Sequence, residues 1–302
     1  MKLDGLIAAV HTPMHDDFSV NYDCVPAQAE YLAKAGVAGV FVTGTTGECH
    51  SLTTDERIKL FKAWGRVAHH NGLNFVAHVG HNNLPDSQSM VCAAVENGAD
   101  AVSAMAPNFF KPVDAEALCN WFVQMVKNAP ELPFYFYDIP GMTGVTINTS
   151  GFVKLAEEKI PGFVGVKYTN PDRDQLSAIL NTNGRVPDML FGCDEELLDG
   201  LHIGCRGAVG STYNFSAPLY RRIIAAFESG DIDTAQRDQA KSAEMVRTIA
   251  KYNYISAAKA VMAMVGVDCG PARPPLQDLS PQSVGNLEQD LKSIGFFDWA
   301  LS

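Results

Sequence analysis

Residues 162–169, GFVGVKYT, form a short apolar run with the β-branched side chains typical of a strand. Pro161 precedes this run and Asn170-Pro171 follows it, which marks both of its ends as turns. Side chains alternate along a strand, so the pattern predicts two faces. One face carries Gly165, Lys167 and Thr169, and the other carries Val164, Val166 and Tyr168. Lys167 is therefore expected to point away from the valines.

A lysine in the middle of such a strand has two interpretations. It can be an edge-strand residue whose stem lies on apolar surface while its charged end reaches water. Alternatively, it lies in a partly desolvated site, where burial disfavours the charged form and a neutral amine can attack a ketone to form a Schiff base. The strand alone does not decide between these interpretations, so the rest of the chain has to be considered.

The chain repeats a unit of apolar strand, turn and amphipathic helix. Strands are predicted at residues 6–12, 37–43, 75–80, 101–106, 133–139, 163–169, 189–193 and 208–211, and helices between them at 26–34, 54–69, 85–96, 115–127, 150–158, 172–180 and 195–201. This alternation predicts a parallel sheet closed into a (β/α)8 TIM barrel. An open doubly wound sheet is the alternative, but neither a G-x-G-x-x-G after the first strand nor a Walker-type loop is present.

The alternation of strands and helices stops after Ser211. Helices are predicted at residues 218–228, 232–266 and 280–292, the first of them as the eighth barrel helix. We therefore predict a barrel at residues 1–230 that carries the active site, and a C-terminal helical extension at 231–302 that packs on the barrel. The role expected for the extension is packing or subunit contact.

The overall charge and the cysteine pattern exclude several function classes. A net charge of −11 and a pI near 5.1 argue against nucleic-acid or anionic-membrane partners, which would need a basic patch. Seven scattered cysteines without a CxxC pair predict reduced thiols and a cytoplasmic location. The apolar run ending at Val10 is too short for a signal peptide, and no stretch approaches a membrane span. The net charge says nothing direct about a small acidic substrate, which would be held by local donors.

In a TIM barrel the active site lies at the C-terminal ends of the strands. Residues 44–48, GTTGE, end the second strand, and their backbone N–H groups with the hydroxyls of Thr45 and Thr46 could hold a carboxylate or phosphate. An ordinary βα turn gives the same pattern. Tyr137 ends the fifth strand, about one βα unit before Lys167, so the two are expected on neighbouring strands at similar depth. A phenol beside an amine can act as a proton shuttle.

Two further strand ends carry polar residues, at 192–195 (GCDE) and 210–214 (GSTYN). The adjacent Asp194 and Glu195 could bind a polyhydroxylated ligand, or they could be acidic residues at a helix N-terminus. His78 and His81 near the third strand are poor metal ligands, because alternation sends them to opposite faces and a site would need three converging ligands. Structural or hydrogen-bonding roles are expected for them.

Three motifs in this order and spacing resemble those of a known superfamily: GTTGE at 44–48, Tyr137-x-Ile139-Pro140 and Gly165-Val166-Lys167. The superfamily is that of the pyruvate-dependent class I aldolases, which includes N-acetylneuraminate lyase and dihydrodipicolinate synthase, and the resemblance covers nearly the whole chain. The chain is more similar to the lyase branch. The synthase branch carries an arginine for a second carboxylate where this chain has Met142, and a thioether cannot replace a guanidinium there.

The resemblance implies that Lys167 forms a Schiff base with the ketone of N-acetylneuraminate, which is cleaved to N-acetylmannosamine and pyruvate. Tyr137 would move the proton. Thr45 and Thr46 would hold the pyruvate carboxylate with Thr169 close by, and the hydroxylated tail would be bound by Gly192, Asp194, Glu195 and Ser211. No metal or organic cofactor is implied, because the lysine supplies the electron sink. A homotetramer is implied.

One departure from the superfamily concerns the proton relay. Many members place a second tyrosine after the fourth strand, contributed to a neighbouring subunit, whereas this chain has Asn108-Phe109-Phe110. A relay would then run through Tyr137, a threonine hydroxyl and water. Two alternative functions remain open. One is a class I aldolase or hydratase-aldolase acting on a 2-keto-3-deoxy sugar acid, and the other is a non-catalytic barrel that binds a keto acid.

Overall fold

The strands of this computed structural model are all parallel and close into a barrel in which β1 pairs with both β2 and β8. They are β1 Gly5–Ala9, β2 Gly39–Val42, β3 Asn74–His78, β4 Ala101–Met105, β5 Phe134–Asp138, β6 Phe163–Tyr168, β7 Asp188–Phe191 and β8 Gly207–Gly210. The structure describes residues 2–181 and 186–300, so Leu301 and Ser302 of the predicted extension lie outside the described residues. The predicted (β/α)8 barrel is confirmed.

Helices follow the strands around the outside of the barrel. Those of the barrel are α1 Val25–Lys34, α2 Thr54–Val67, α3 Leu84–Glu96, α4 Ala115–Val126, the short α5 Pro140–Thr143, α6 Thr149–Lys159, α7 Arg173–Leu180, α8 Leu197–Ile203 and α9 Tyr213–Glu228. The extension contains α10 Ile232–Ala250, α11 Tyr254–Met264, α12 Pro281–Ser293 and α13 Phe296–Trp299. Among the described residues, none of these helices is long and apolar enough to cross a membrane.

The apolar core has two layers, which the strands separate. The outer faces of the strands pack against the helices, whereas inward side chains such as Phe41, Tyr135 and Leu190 fill the barrel. Each fully buried large apolar side chain contributes about 1.5–3 kcal/mol. The packed interior lies below the C-terminal ends of the strands and forms the floor of the site described below.

Strand β6 departs from simple alternation at Val164. Phe134 pairs with Phe163, but the next residue of β5, Tyr135, pairs with Gly165, so one residue of β6 is bulged out of register. Val164 packs towards the barrel interior, and the prediction that it shares a face with Val166 and Tyr168 is wrong. A bulge re-aims the side chains beyond it and is common next to active sites.

Two predicted helices have different bounds in the structure. Residues 232–266 form two helices instead of one, because α10 ends at Ala250 and Asn253 adopts an extended backbone with ψ 104° before α11. The Asn253 side chain donates to the carbonyl of Gln277, 2.9 Å away, so a tertiary contact holds this break. The last barrel helix begins at Tyr213, before Pro218, and has a kink at Ser216.

Candidate active site

Tyr137 of β5 and Lys167 of β6 are paired residues in adjacent strands, which confirms the prediction that they stand side by side. Both are buried, with Lys167 4% exposed and Tyr137 3% exposed. The Lys167 Nζ atom lies 3.6 Å from the centre of the Tyr137 ring and 4.6 Å from that of Phe41. A closed barrel has no edge strand and this amine is sheltered from water, so the interpretation of Lys167 as an edge-strand residue is wrong.

The surroundings of the Lys167 amine are aromatic. Its Nζ atom faces the rings of Tyr137 and Phe41, whose electron-rich faces attract a cation. Among the described residues, the Lys167 amine forms no ion pair within 4.0 Å, in contrast to cationic groups such as those of Lys259 and Arg273. An amine that no carboxylate holds is available to react with a ligand entering from above the strands.

The loop at residues 44–48 lies next to the phenol. The hydroxyls of Thr45 and Tyr137 are 3.3 Å apart, so the loop contacts the same phenol whose ring the amine faces. Thr46 is buried at 7% exposure, and Thr45 is half-buried. Thr43, just before the loop, and Glu48, its last residue, both have positive φ angles, of 56° and 57°. Such backbone is unfavourable for residues other than glycine and persists only where its surroundings hold it.

The glycine at position 47 allows this loop to pack closely on the barrel. A Cβ atom there would lie 3.0 Å from the Cα of Thr43 and 3.1 Å from the carbonyl oxygen of Val10. The Thr12 hydroxyl donates to the Gly47 carbonyl oxygen at 2.8 Å. The segment that follows β1 therefore supports the loop, and a side chain at position 47 would push the loop away.

His78 supports the other end of the loop. The N–H of Met105 points to His78 Nε2 at 3.3 Å, so Nδ1 carries the proton and donates to the Thr43 carbonyl at 3.0 Å. Burial, followed by the charge of Arg57, holds the pKa of His78 well below its usual range. The ring is thus a neutral hydrogen-bonding group, as predicted. Among the described residues, no three His, Cys, Asp or Glu side chains are arranged to hold a metal ion.

Arg57 lies behind His78 and is fully buried. Its guanidinium donates to the carbonyl oxygens of Gly80 at 2.9 Å and His78 at 2.5 Å. Burial lowers the pKa of Arg57 to about 10. The side chain therefore stays charged at neutral pH and fixes the end of β3 beneath the loop.

Thr169 and Gly192 form the opposite wall of the site. The Thr169 hydroxyl is buried and has no hydrogen-bond partner among the described residues. A Cβ atom at Gly192 would lie 2.0 Å from this hydroxyl, so glycine is needed to leave it uncovered. Buried polar atoms are nearly always satisfied in the working state of a protein. This hydroxyl therefore marks a position where a ligand or a water molecule is expected.

Asp194 and Glu195 have different environments. Asp194 is 6% exposed, and its carboxylate accepts hydrogen bonds from the backbone N–H of Thr212 at 2.7 Å and from the Thr212 hydroxyl at 2.6 Å. Burial raises the pKa of Asp194, and the Thr212 bonds oppose that rise. Glu195 is exposed. Asp194 thus joins the segment after β7 to the start of α9, and Glu195 is the carboxylate of this pair that is open to solvent.

Tyr254 is a site residue that sequence analysis missed. Its hydroxyl lies 2.8 Å from that of Ser211, the residue that follows β8. Burial, followed by the charge of Asp194, raises the pKa of Tyr254 above its usual value. Tyr254 begins α11, so the extension reaches the site. The asparagine before it, at a helix N-cap position, is the one sequence signal that could have located this helix start.

A cavity of about 320 Å³ opens next to Thr45. Its lining includes His50 and Asn108 from the barrel loops, and Ile255 and Leu276 from the extension. Met142 also lines it and is 64% exposed. The phenylalanines of the Asn108-Phe109-Phe110 segment point outwards, with 77% and 87% of their surfaces exposed.

The fold and the site together give a TIM barrel with a buried lysine beside a phenol near the C-terminal ends of its strands. Residues 2–294 match the Dihydrodipicolinate synthetase family. The chain belongs to that family, which confirms the resemblance inferred from its motifs.

Individual relatives are similar over nearly the whole chain. The N-acetylneuraminate lyase of Rattus norvegicus is 37% identical over 302 residues, which cover 99% of this chain and 94% of the relative. The structure of Proteus mirabilis N-acetylneuraminate lyase superposes with a TM-score of 0.94 at 34% identity, covering 98% of this chain and 100% of that one. That of the N-acetylneuraminate lyase (sialic acid aldolase) of Aliivibrio salmonicida has a TM-score of 0.94 at 32% identity and covers 98% of both chains.

Proposed function

We propose that this protein is an N-acetylneuraminate lyase, which cleaves N-acetylneuraminate to N-acetylmannosamine and pyruvate through a Schiff base on Lys167. The observation that carries the proposal is the buried Lys167 amine, 3.6 Å from the ring of Tyr137, whose hydroxyl contacts that of Thr45. The similarity to proteins named N-acetylneuraminate lyase supports the choice of substrate.

The reaction begins when the neutral amine of Lys167 attacks the ketone carbon of the open-chain substrate. Loss of water gives an iminium ion, which accepts the electron pair of the C3–C4 bond as that bond breaks. N-acetylmannosamine leaves, and an enamine of pyruvate remains on the lysine. Protonation of the enamine at C3 and hydrolysis then release pyruvate and the free amine. The iminium acts as the electron sink for bond cleavage.

Proton transfer is assigned to Tyr137. Cleavage requires removal of the proton from the C4 hydroxyl, and the phenol accepts it while donating its own proton to the substrate carboxylate. After the aldehyde has left, the phenol donates its proton to C3 of the enamine, and the carboxylic acid returns a proton to the phenol oxygen. The hydroxyl of Thr45, 3.3 Å from the phenol, holds the Tyr137 oxygen in place during both steps. Phe110 has no proton to pass, so the relay uses Tyr137, Thr45 and water.

The keto-acid carboxylate is assigned to the loop at residues 44–48. The hydroxyls of Thr45 and Thr46, together with the backbone N–H groups between the two glycines, form a concave donor surface. The unpartnered hydroxyl of Thr169 lies on the opposite wall, where Gly192 leaves it open. These donors orient the substrate so that its ketone faces the Lys167 amine.

The hydroxylated tail of the sugar is assigned to the ends of β7 and β8. Glu195 and the hydroxyls of Ser211 and Tyr254 supply acceptors and donors for the hydroxyl groups of the substrate. Asp194 contributes to this subsite with one carboxylate oxygen already held by Thr212. Its position is thereby fixed before the substrate arrives.

Pyruvate release from a panel of acids tests this function. N-acetylneuraminate and several 2-keto-3-deoxy sugar acids are incubated with the wild-type protein and with Lys167→Ala. We expect release from N-acetylneuraminate by the wild type only. Release from a sugar acid and not from N-acetylneuraminate would assign the sugar-acid aldolase instead. Turnover of no acid at all would favour a keto-acid-binding barrel without catalysis.

We also propose a homotetramer in the cytoplasm. Phe109, Phe110 and Val113 expose 77%, 87% and 89% of their surfaces after β4, and such an apolar cluster is suited to a subunit contact. All seven cysteines carry free thiols, which suits a reducing compartment. Residues 1–230 and 231–302 are proposed as the barrel and the extension. Light scattering of the purified protein tests the tetramer.

A further inference from the structure

Glu48, the last residue of the GTTGE loop, forms an ion pair with Lys259 of α11. The Lys259 Nζ atom lies 3.0 Å from Oε1 of Glu48, and the two side chains are 1% and 0% exposed. A fully buried ion pair is weak evidence for stability, because the desolvation of both charges offsets their attraction. An apolar pair of similar volume would pack these elements together equally well, so the ion pair points to a role in orientation.

Further hydrogen bonds hold both side chains of this ion pair in one orientation. The second oxygen of Glu48, Oε2, accepts the backbone N–H of Arg273 at 2.7 Å. Lys259 also donates to the carbonyl oxygen of Pro271 at 2.5 Å. The Glu48 side chain is therefore held both by α11 of the extension and by the segment that follows α11.

Glu48 also closes the turn that presents the threonines. Its backbone N–H donates to the Thr45 carbonyl oxygen at 3.0 Å, and the next N–H, of Cys49, donates to the Gly44 carbonyl at 3.2 Å. The left-handed backbone of Glu48, with φ 57°, is unfavourable unless its surroundings impose it. The orientation of Glu48 therefore sets that of Thr45 and Thr46.

We propose that Glu48, held by Lys259 and by the Arg273 amide, is a positioning residue for the keto-acid carboxylate. The C-terminal extension then shapes the carboxylate subsite as well as packing on the barrel. This inference rests on the proposed function, because it assumes that Thr45 and Thr46 bind the carboxylate. Glu48 acts through the loop and does not touch the substrate.

Asp238 provides a matched control. It is 5% exposed and lies in α10, where Arg222 of the barrel helix α9 approaches its carboxylate at 3.2 Å and Lys241 at 2.7 Å. Like Glu48, it is a buried carboxylate that joins the extension to the barrel, but its ion-pair partners lie in α9 and α10 and not in the GTTGE loop. Asp238→Asn therefore reports loss of packing alone.

The experiment measures pyruvate binding separately from aldehyde binding. Pyruvate is titrated in the presence of borohydride, and the reduced adduct on Lys167 is quantified by mass spectrometry for the wild type, Glu48→Gln, Asp238→Asn and the double variant Glu48→Gln/Lys259→Met. The double variant removes both charges, so no unpaired charge is left buried. In the synthesis direction, KM is measured for pyruvate and for N-acetylmannosamine at a temperature where circular dichroism shows each variant folded.

We expect the half-saturating pyruvate concentration to rise about ten- to a hundredfold in both Glu48 variants, the loss typical of a displaced binding group. The KM for N-acetylmannosamine should not change, and Asp238→Asn should change neither value. Unchanged pyruvate saturation, an equal rise in both KM values, or failure of the double variant to fold would overturn the proposal. Absence of an adduct in the wild type would instead overturn the proposed function, and the positioning role with it.

Discussion

The Nζ atom of Lys167 lies over the ring of Tyr137, 3.6 Å from its centre, because register pairing places the two residues side by side on β5 and β6. In the proposed mechanism the phenol contributes both a ring face to the resting amine and a hydroxyl to the reaction. These two contributions can be separated by substitution, since phenylalanine retains the ring and lacks the hydroxyl.

Tyr137→Phe should still form the Schiff base with pyruvate but should lower kcat about 10²- to 10⁴-fold, the range expected for loss of a positioned proton-transfer group. Steady-state kinetics and borohydride trapping measure the two properties. Tyr135→Phe is the matched control, because the Tyr135 hydroxyl donates to Asp188 at 2.7 Å lower in the barrel. A Tyr137→Phe enzyme with wild-type kcat would remove the phenol from the mechanism.

Ser211→Ala and Tyr254→Phe should each raise KM for the sugar acid and leave adduct formation with pyruvate unchanged, because the hydroxyl pair lies at the end of β8 and not at the carboxylate loop. The two effects should be less than additive, since both substitutions break the same 2.8 Å contact. Tyr252→Phe serves as control, because that hydroxyl points to Asp290. Fully additive effects, or a loss of pyruvate binding, would argue against a shared subsite.

Thr169→Val should weaken pyruvate binding with little loss of stability, because it removes a buried hydroxyl that has no partner among the described residues. An unsatisfied buried hydroxyl costs free energy in the folded state, so its removal can even stabilise the protein. Pyruvate titration with borohydride and thermal unfolding give the two readouts. Thr12→Val is the contrasting variant, because the Thr12 hydroxyl donates to Gly47 and its loss should lower the melting temperature. Unaltered pyruvate binding in Thr169→Val would exclude this hydroxyl from the site.

His11 should make the protein sensitive to acid. Its ring is fully buried, and burial, followed by the charge of Lys259, lowers its pKa from 6.5 to about 3. The unfolded chain binds a proton below pH 6.5 and the folded chain does so only near pH 3, so this contribution to stability is present above pH 6.5 and is lost as the pH falls. The loss should approach about 1.4 kcal/mol per pH unit.

Urea unfolding of the wild type and of His11→Leu between neutral pH and pH 4.5 measures this effect. Leucine has no titratable group and leaves no buried polar atom, so the stability of the variant should fall less steeply in this interval. Parallel pH profiles for the two proteins would mean that His11 does not titrate in this way. The difference in stability at neutral pH, where the ring is neutral in both states, measures the packing cost of the substitution separately from the slope.

Sequence reasoning predicted those parts of the site that depend on strand periodicity. The pairing of Tyr137 with Lys167 follows from the repeat of the βα unit, and the location of the GTTGE loop follows from the rule that strand ends carry the site. The inward direction of Lys167 also follows from alternation, because the bulge at Val164 precedes it in β6.

The features that were missed depend on contacts between distant segments. The break before α11 is held by the bond from Asn253 to Gln277, and neither glycine nor proline marks it. The approach of Tyr254 to Ser211 and of Lys259 to Glu48 follows from that break. No local pattern reveals such contacts, which explains why the extension was expected only to pack or to contact another subunit.

Mass spectrometry of the protein treated with pyruvate and borohydride tests the central claim most directly. The account predicts a reduced three-carbon adduct on the peptide that contains Lys167, no adduct on Lys259, which is equally buried but paired with Glu48, and no adduct in Lys167→Ala. An unmodified wild-type protein, or an adduct confined to any other lysine, would contradict it.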